Sequence, residues 1–380
     1  MSIKTLSKKM LAIVAAGAMT MGLAMPTSVF AAEGDTPSKV TEAYISKTFN
    51  TEVGKNETFS FKAEPVAGNT EQVTIPDITF TAAETGSITK REKVSFPNWK
   101  DAGKYEYTVT ESAASPAIPD GEHQKMIMSK AEYTMDVYVS NGDKGLEISN
   151  IFVNKKKDDK GQTPTGTTGK VDISNTDKNG FKFTNTYAQE AGTGTDPINP
   201  DPTYNTDGSL NVTKAINANG GKTVDTGREF IFTATFTFPT GTDATTLGGV
   251  KDANGSNIAI NKDGTYTFKL KANGNMKFTG VPVGTQISVV ESATPNYRGS
   301  AESVFNGVSQ GKIEAGKYNQ AITVTNTLGQ KQNKVDVTNT YNFVPTTGII
   351  MNNLPYVLMI ALCGAALMAF VAVKRRSLQK

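Results

Sequence analysis

The sequence predicts an all-β protein: two tandem Ig-like β-sandwich domains, preceded by a signal peptide and followed by a C-terminal transmembrane segment. Three observations carry that reading. Short runs such as Tyr105–Thr110, Tyr133–Val139 and Phe230–Phe238 alternate in polarity and are rich in β-branched and aromatic residues, as half-buried strands are. Gly, Asn and Asp clusters at Asn141–Asp143, Ala253–Gly255, Lys262–Gly264 and Asn273–Asn275 break these runs at hairpin-like intervals. No stretch between the two ends shows a convincing amphipathic helical period. Short strands with frequent turns suit sandwiches of roughly 100 to 150 residues each.

The elements follow in chain order. Residues 1–31 begin with Lys4, Lys8 and Lys9, continue through an apolar stretch from Met10 to Leu23 and end on small residues at Ala31. That is the pattern of a secretory signal peptide cut after Ala31. The two sandwich domains are expected at 32–190 and 205–343. Between them, Ala191–Pro202 has the Pro, Gly and Asp content of an extended linker, assigned to 191–204. The C-terminal segment 344–380 contains an uncharged apolar run at 354–373, long enough to cross a bilayer. A basic tail at 374–380, opening with Lys374, Arg375 and Arg376, should stay cytoplasmic, which places both domains outside the cell.

Charge and composition exclude several functions. The two ends hold seven of the 39 basic residues and no acidic residue, leaving 32 against 36, a net −4 for the part between them. The whole-chain value of +3 is therefore a property of the ends, and a nucleic-acid partner has no support. Cys363 is the only cysteine and His123 the only histidine. Disulfides, a Cys/His zinc centre and a triad using several histidines are excluded, and no metal or cofactor is expected. His123, in the Pro119–Gln124 turn, reads as a surface residue. The carboxylates of Asp196–Asp201 read as a solvated linker.

Three segments recur in the same order in both halves. Ala43–Phe49 aligns with Leu210–Ile216 through Lys47 and Lys214. Tyr107–Ala113 aligns with Ile287–Ala293 through Glu111 and Glu291, and Phe181–Tyr187 with Val335–Tyr341 through Asn185 and Asn339. The Lys-to-Asn separations, 138 and 125 positions, each bracket a whole domain. In each strand the polar residue lies two and four positions after mostly apolar ones, so it shares their inward face.

Inward placement gives these residues their chemistry. Burial pushes a lysine toward the neutral, nucleophilic amine and a glutamic acid toward its protonated form. The amine can then attack the Asn carboxamide carbon while Glu polarises the carbonyl and shuttles protons, and ammonia leaves. The product is a Lys–Asn isopeptide bond, favoured because the fold holds the reactants at very high effective concentration.

These residues resemble the sortase-assembled backbone (major) pilins of Gram-positive bacteria, which are built from tandem Ig-like pilin isopeptide linkage domains. The likeness runs from Lys39 to the C-terminus. It implies that Lys47 and Asn185, and Lys214 and Asn339, cross-link first and last strands, with Glu111 and Glu291 catalytic. The second domain has Val289-Val290-Glu291 where the family has Val-Thr-Glu. Val324–Thr327 offers Asn326 as an alternative; Asn339 is preferred for its trailing Tyr341 and its last-strand position. Val344-Pro345-Thr346-Thr347-Gly348 is similar to the sortase signal Leu-Pro-x-Thr-Gly, with Val for Leu, and implies cleavage after Thr347. The resemblance also implies a lysine nucleophile on the next subunit. Lys178, seven residues before Asn185, takes that place, with Lys170, Lys182 and the Lys155–Lys157 run as competitors.

The implied function is structural: a subunit of a covalently polymerised pilus shaft, on the cell surface and anchored to the wall. Its implied partners are sortase, neighbouring pilin subunits, peptidoglycan and minor pilins. Enzymatic activity is limited to the single-turnover formation of the internal bonds. The alternative is a wall-anchored adhesin with the same domains that is not polymerised.

Overall fold

The computed structural model describes residues 39–342 except 67, 166–168 and 219–222, together with 356, 358–363 and 365–367. The signal peptide, the Val344–Gly348 motif and much of the 354–373 run lie outside the described residues. Among those described, no helix is long and apolar enough to cross a membrane.

The protein is all-β, in tandem sandwiches. The first contains β1 (Tyr44–Thr51), β2 (Glu57–Pro65), β3 (Ile78–Phe80), β4 (Gly86–Lys93), β5 (Gly103–Ser115), β6 (Gln124–Ile127), β7 (Glu132–Gly142), β8 (Gly145–Lys157), β9 (Lys170–Val171) and β10 (Gly180–Gln189). One sheet has the order β4-β1-β10-β6 and the other β3-β2-β5-β7-β8-β9. Their inner faces meet through aromatic rings: Phe49 on Phe59 with centroids 5.1 Å apart, Phe61 on Phe183 at 5.3 Å and Tyr133 on Phe181 at 5.4 Å.

A short helix α1 (Pro202–Asp207) precedes the second sandwich. That sandwich contains β11 (Leu210–Ala218), β12 (Phe230–Thr237), β13 (Thr265–Leu270), β14 (Asn275–Phe278), β15 (Gln286–Glu291), β16 (Tyr297–Phe305), β17 (Val308–Glu314), β18 (Ile322–Thr327) and β19 (Lys334–Tyr341). Its sheets run β14-β11-β19-β16-β17 and β13-β12-β15-β18. Phe230 on Tyr297 (5.1 Å) and Phe268 on Phe278 (5.7 Å) close the core between them.

In both sandwiches the first and last strands are parallel neighbours, within sheets that are otherwise antiparallel. Strand β1 pairs with β10, and β11 with β19. A parallel pair needs a long crossover. Here the rest of the sandwich supplies it.

The linker expected at 191–204 is not an extended, solvated segment at its start. Ala191–Gly194 are buried. Ala191 N–H donates to Val281 O (2.9 Å), Gly192 N–H to Gly329 O (3.0 Å) and Gly194 N–H to Gln330 O (2.7 Å). Glycine serves tight packing here rather than flexibility: Gly192 has φ +83°, and a Cβ on it would lie 2.2 Å from Gly208 O.

His123 is likewise not a free surface residue. Its Nδ1 lies 2.7 Å from Glu190 Oε2, and the Glu190 carboxylate is buried. Glu190 Oε1 accepts from Tyr204 OH (2.6 Å), Ser209 Oγ (2.7 Å) and Gly280 N–H. One carboxylate thus joins the first sandwich, α1 and the second sandwich.

Candidate functional site

Ala43, just before β1, and Ile45 and Lys47 within it share one face of the strand and are all at 0% exposure. On β10, Phe181, Phe183 and Asn185 are equally buried. The parallel register sets Lys47 opposite Phe183 and Phe49 opposite Asn185, so Asn185 lies two register positions beyond Lys47 on the same face. Strand β5, between β2 and β7 in the facing sheet, aims Glu111 at both. Lys47 Nζ donates to Glu111 Oε1 at 2.6 Å, and Asn185 Nδ2 donates to that same oxygen at 2.9 Å. Asn185 Oδ1 accepts the backbone N–H of Ser129 at 2.7 Å.

The second sandwich repeats this arrangement. Leu210, Val212 and Lys214 are buried on β11, and Val335, Val337 and Asn339 on β19. Lys214 is opposite Val337 and Ile216 opposite Asn339, the same two-position offset. Glu291, on β15 between β12 and β18, lies against both. Its Oε2 is 3.2 Å from Lys214 Nζ, an ion pair without hydrogen-bond alignment, and its Oε1 accepts from Asn339 Nδ2. Asn326 is elsewhere, on β18 opposite Ile287, with its Oδ1 accepting from Thr327 N–H.

Each amine also rests on an aromatic ring. Lys47 Nζ is 4.2 Å from the Phe59 centroid and Lys214 Nζ 4.4 Å from that of Phe230. The rings complete a water-excluding pocket and hold the amine in place. Burial brings the Lys47 and Lys214 amines down to about 8, against the opposing pull of Glu111 and Glu291. Burial pushes both carboxyls up, again against the lysines. Each pair is driven toward amine and carboxylic acid, the forms a nucleophile and a proton donor require.

Lys178 is apart from both clusters, exposed in the loop before β10, with a left-handed φ of 50°. The loop is tied down on either side: Ser174 N–H donates to Asn179 Oδ1 (2.7 Å), and Thr41 and Glu42 N–H both donate to Asn175 Oδ1 (3.0 Å each). Lys170 and Lys182 are also exposed. Thr347 lies outside the described residues. Among those described, no group of His, Cys, Asp or Glu is placed to hold a metal.

Sequence reasoning missed Phe59, Phe230, Ser129 and Asp159, whose Oδ1 accepts from Ser129 Oγ and from the N–H of Thr184 beside Asn185. The two phenylalanines had a signal, since each is an inward aromatic early in the second strand of its domain. Ser129 and Asp159 had none, because loops distant in sequence bring them to the site.

Residues 43–188 match the family described as the Spy0128-like isopeptide containing domain, and residues 208–328 match a domain of unknown function, DUF7601. No curated relative matches. Among solved structures, a major pilin from Streptococcus pyogenes is 18% identical, over 80% of this chain and 99% of that one, with a TM-score of 0.31. The T3.2 major pilin of the same organism is 19% identical over 80% and 99%, with a TM-score of 0.30. A pilus-presented adhesin, Spy0125, is 11% identical over 80% and 100%, with a TM-score of 0.26. The first sandwich thus matches the Spy0128-like isopeptide containing domain over nearly its whole length.

Proposed function

We propose that this chain is a structural subunit of a covalently polymerised pilus shaft, stiffened by one Lys–Asn isopeptide bond in each sandwich. The observation that carries the reading is the duplicated triad: Lys and Asn on the first and last strands of each domain at the same register offset, with a Glu side chain from the facing sheet against both, all three side chains buried. In the first domain the bond forms between Lys47 Nζ and Asn185 Cγ, while the Cγ–Nδ2 bond breaks. Glu111 carries the proton from the attacking amine to the leaving Nδ2, and ammonia departs. Glu291 does the same for Lys214 and Asn339. No oxidant or cofactor enters the balance.

The parallel pairing gives these bonds a mechanical purpose. In a parallel pair the chain enters at one end and leaves at the other, so tension along the domain shears the pair instead of unzipping it. A covalent bridge between the two strands carries that load directly.

For assembly, sortase cuts after Thr347 and transfers its acyl group to Lys178 of the next subunit. The exposure of Lys178 on a tied-down loop favours this choice. Donor and acceptor are different surfaces, so the contact is head-to-tail and grows an open fibre. Cell-wall extracts should contain SDS-resistant ladders, and peptide maps of these should show Thr347 branched on Lys178. A branch on Lys170 or Lys182 would refute the residue choice. Complete absence of a branch would favour an anchored, unpolymerised adhesin.

A further inference from the structure

We propose that the backbone N–H of Ser129 stabilises the oxyanion of the first isopeptide reaction, that Asp159 positions it, and that the second site, which has no such donor among the described residues, closes more slowly. This rests on the isopeptide reading above.

When Lys47 Nζ adds to Asn185 Cγ, negative charge develops on Asn185 Oδ1. The Ser129 N–H is already 2.7 Å from that atom. A donor aimed at a developing oxyanion lowers the barrier without reorganisation at the moment of reaction. Glu111 makes no hydrogen bond to Asn185 Oδ1: its Oε1 engages Lys47 Nζ and Asn185 Nδ2, the two nitrogens that exchange places, and its Oε2 has no hydrogen-bond partner among the described residues.

Ser129 sits between β6 and β7, where a short connection would otherwise be free to shift. Asp159 fixes it. Its Oδ1 accepts from Ser129 Oγ at 2.5 Å and from Thr184 N–H, one residue before Asn185, at 2.9 Å. Its backbone carbonyl accepts Lys130 N–H at 3.0 Å, and Ser129 Oγ in turn accepts Ala131 N–H at 3.1 Å. A single carboxylate therefore sets the spacing between the donor loop and the strand carrying the electrophile.

The second site differs at this atom. Asn339 Oδ1 is buried and has no hydrogen-bond partner among the described residues. It faces Gly299 on the paired strand, where a Cβ would lie 3.2 Å from Oδ1. The two sites therefore share nucleophile, acid and electrophile but differ in oxyanion support.

The experiment follows both bonds within one molecule. Full chain made by cell-free translation is sampled over time, digested, and the Lys47–Asn185 and Lys214–Asn339 peptide pairs are quantified. The first pair should appear before the second. Asp159→Ala should slow the first by on the order of ten- to a hundredfold and leave the second unchanged. Asp159→Asn should restore most of the rate, because a carboxamide oxygen can still accept both hydrogen bonds. Removing the Asp159 charge alone would free the Lys47 amine and speed the reaction, so slow alanine and fast asparagine variants together report position. Ser129→Ala, which keeps the N–H and loses the tether, should also slow the first bond and serves if Asp159→Ala does not fold. Equal rates at both sites, or equally slow Asp159→Ala and Asp159→Asn variants, would overturn the inference and leave the isopeptide reading standing. Absence of both cross-links in the unaltered chain would overturn the two together.

Discussion

Glu111→Ala is expected to yield a folded first domain with one ammonia more than the unaltered protein and a much lower melting temperature. Without the carboxylic acid, neither the amine nor the departing carboxamide nitrogen has a proton relay, so Lys47 and Asn185 stay unjoined. The Lys47–Asn185 bond would close 138 positions of chain. In the loop-entropy picture such a cross-link is worth about 4 to 5 kcal/mol. For a domain of this size that is a fall of roughly 10 to 20 °C. The Lys47 amine would also lose its buried partner. Glu291→Ala should do the same to the second domain through Lys214 and Asn339. Calorimetry with intact mass on the same samples checks this; an unchanged melting temperature in a protein that has kept the ammonia would show that the bond carries no stability.

The second large effect is expected at the junction between the sandwiches. Glu190→Ala strips acceptors from Tyr204 OH, Ser209 Oγ, Gly280 N–H and His123 at once. Buried donors left unpaired cost about 1 to 3 kcal/mol each, so the total loss should be at least about 3 kcal/mol. Hydrogen exchange should speed up at the amides of Ala191, Gly192 and Gly280 while the triads stay protected. This junction also gives a pH dependence. The hydrogen bond to Glu190 raises the His123 pKa above its ordinary value, outweighing the opposing effect of burial. The contribution is thus fully present below the unfolded histidine pKa, near 6.5, and fades as pH rises through the higher folded value. His123→Gln should remove that slope in a denaturant titration. A slope that survives the substitution would place its origin elsewhere.

How much of this was legible in the sequence depends on whether each feature is local. The inward placement of Lys47, Glu111 and Asn185 followed from residues two and four positions away, because pleat alternation is a property of the strand alone. The repeat at Lys214, Glu291 and Asn339 followed for the same reason. The parallel pairing of β1 with β10 was not legible, because register between strands over 100 positions apart is set by the whole sandwich. Ala191–Gly194 misled because glycine and threonine suit a solvated linker and a tightly hydrogen-bonded turn equally well. His123 misled similarly: its turn is polar in sequence, but Glu190, 67 positions later, turns back to meet it.

The central claim is that both triads react, and the intact mass of the folded protein tests it most directly. After allowance for signal-peptide removal, the folded protein should weigh less than its sequence by two ammonia molecules. Tandem spectra should place the joined peptides at Lys47–Asn185 and Lys214–Asn339. A mass equal to that of the sequence, in protein shown to be folded, would contradict it.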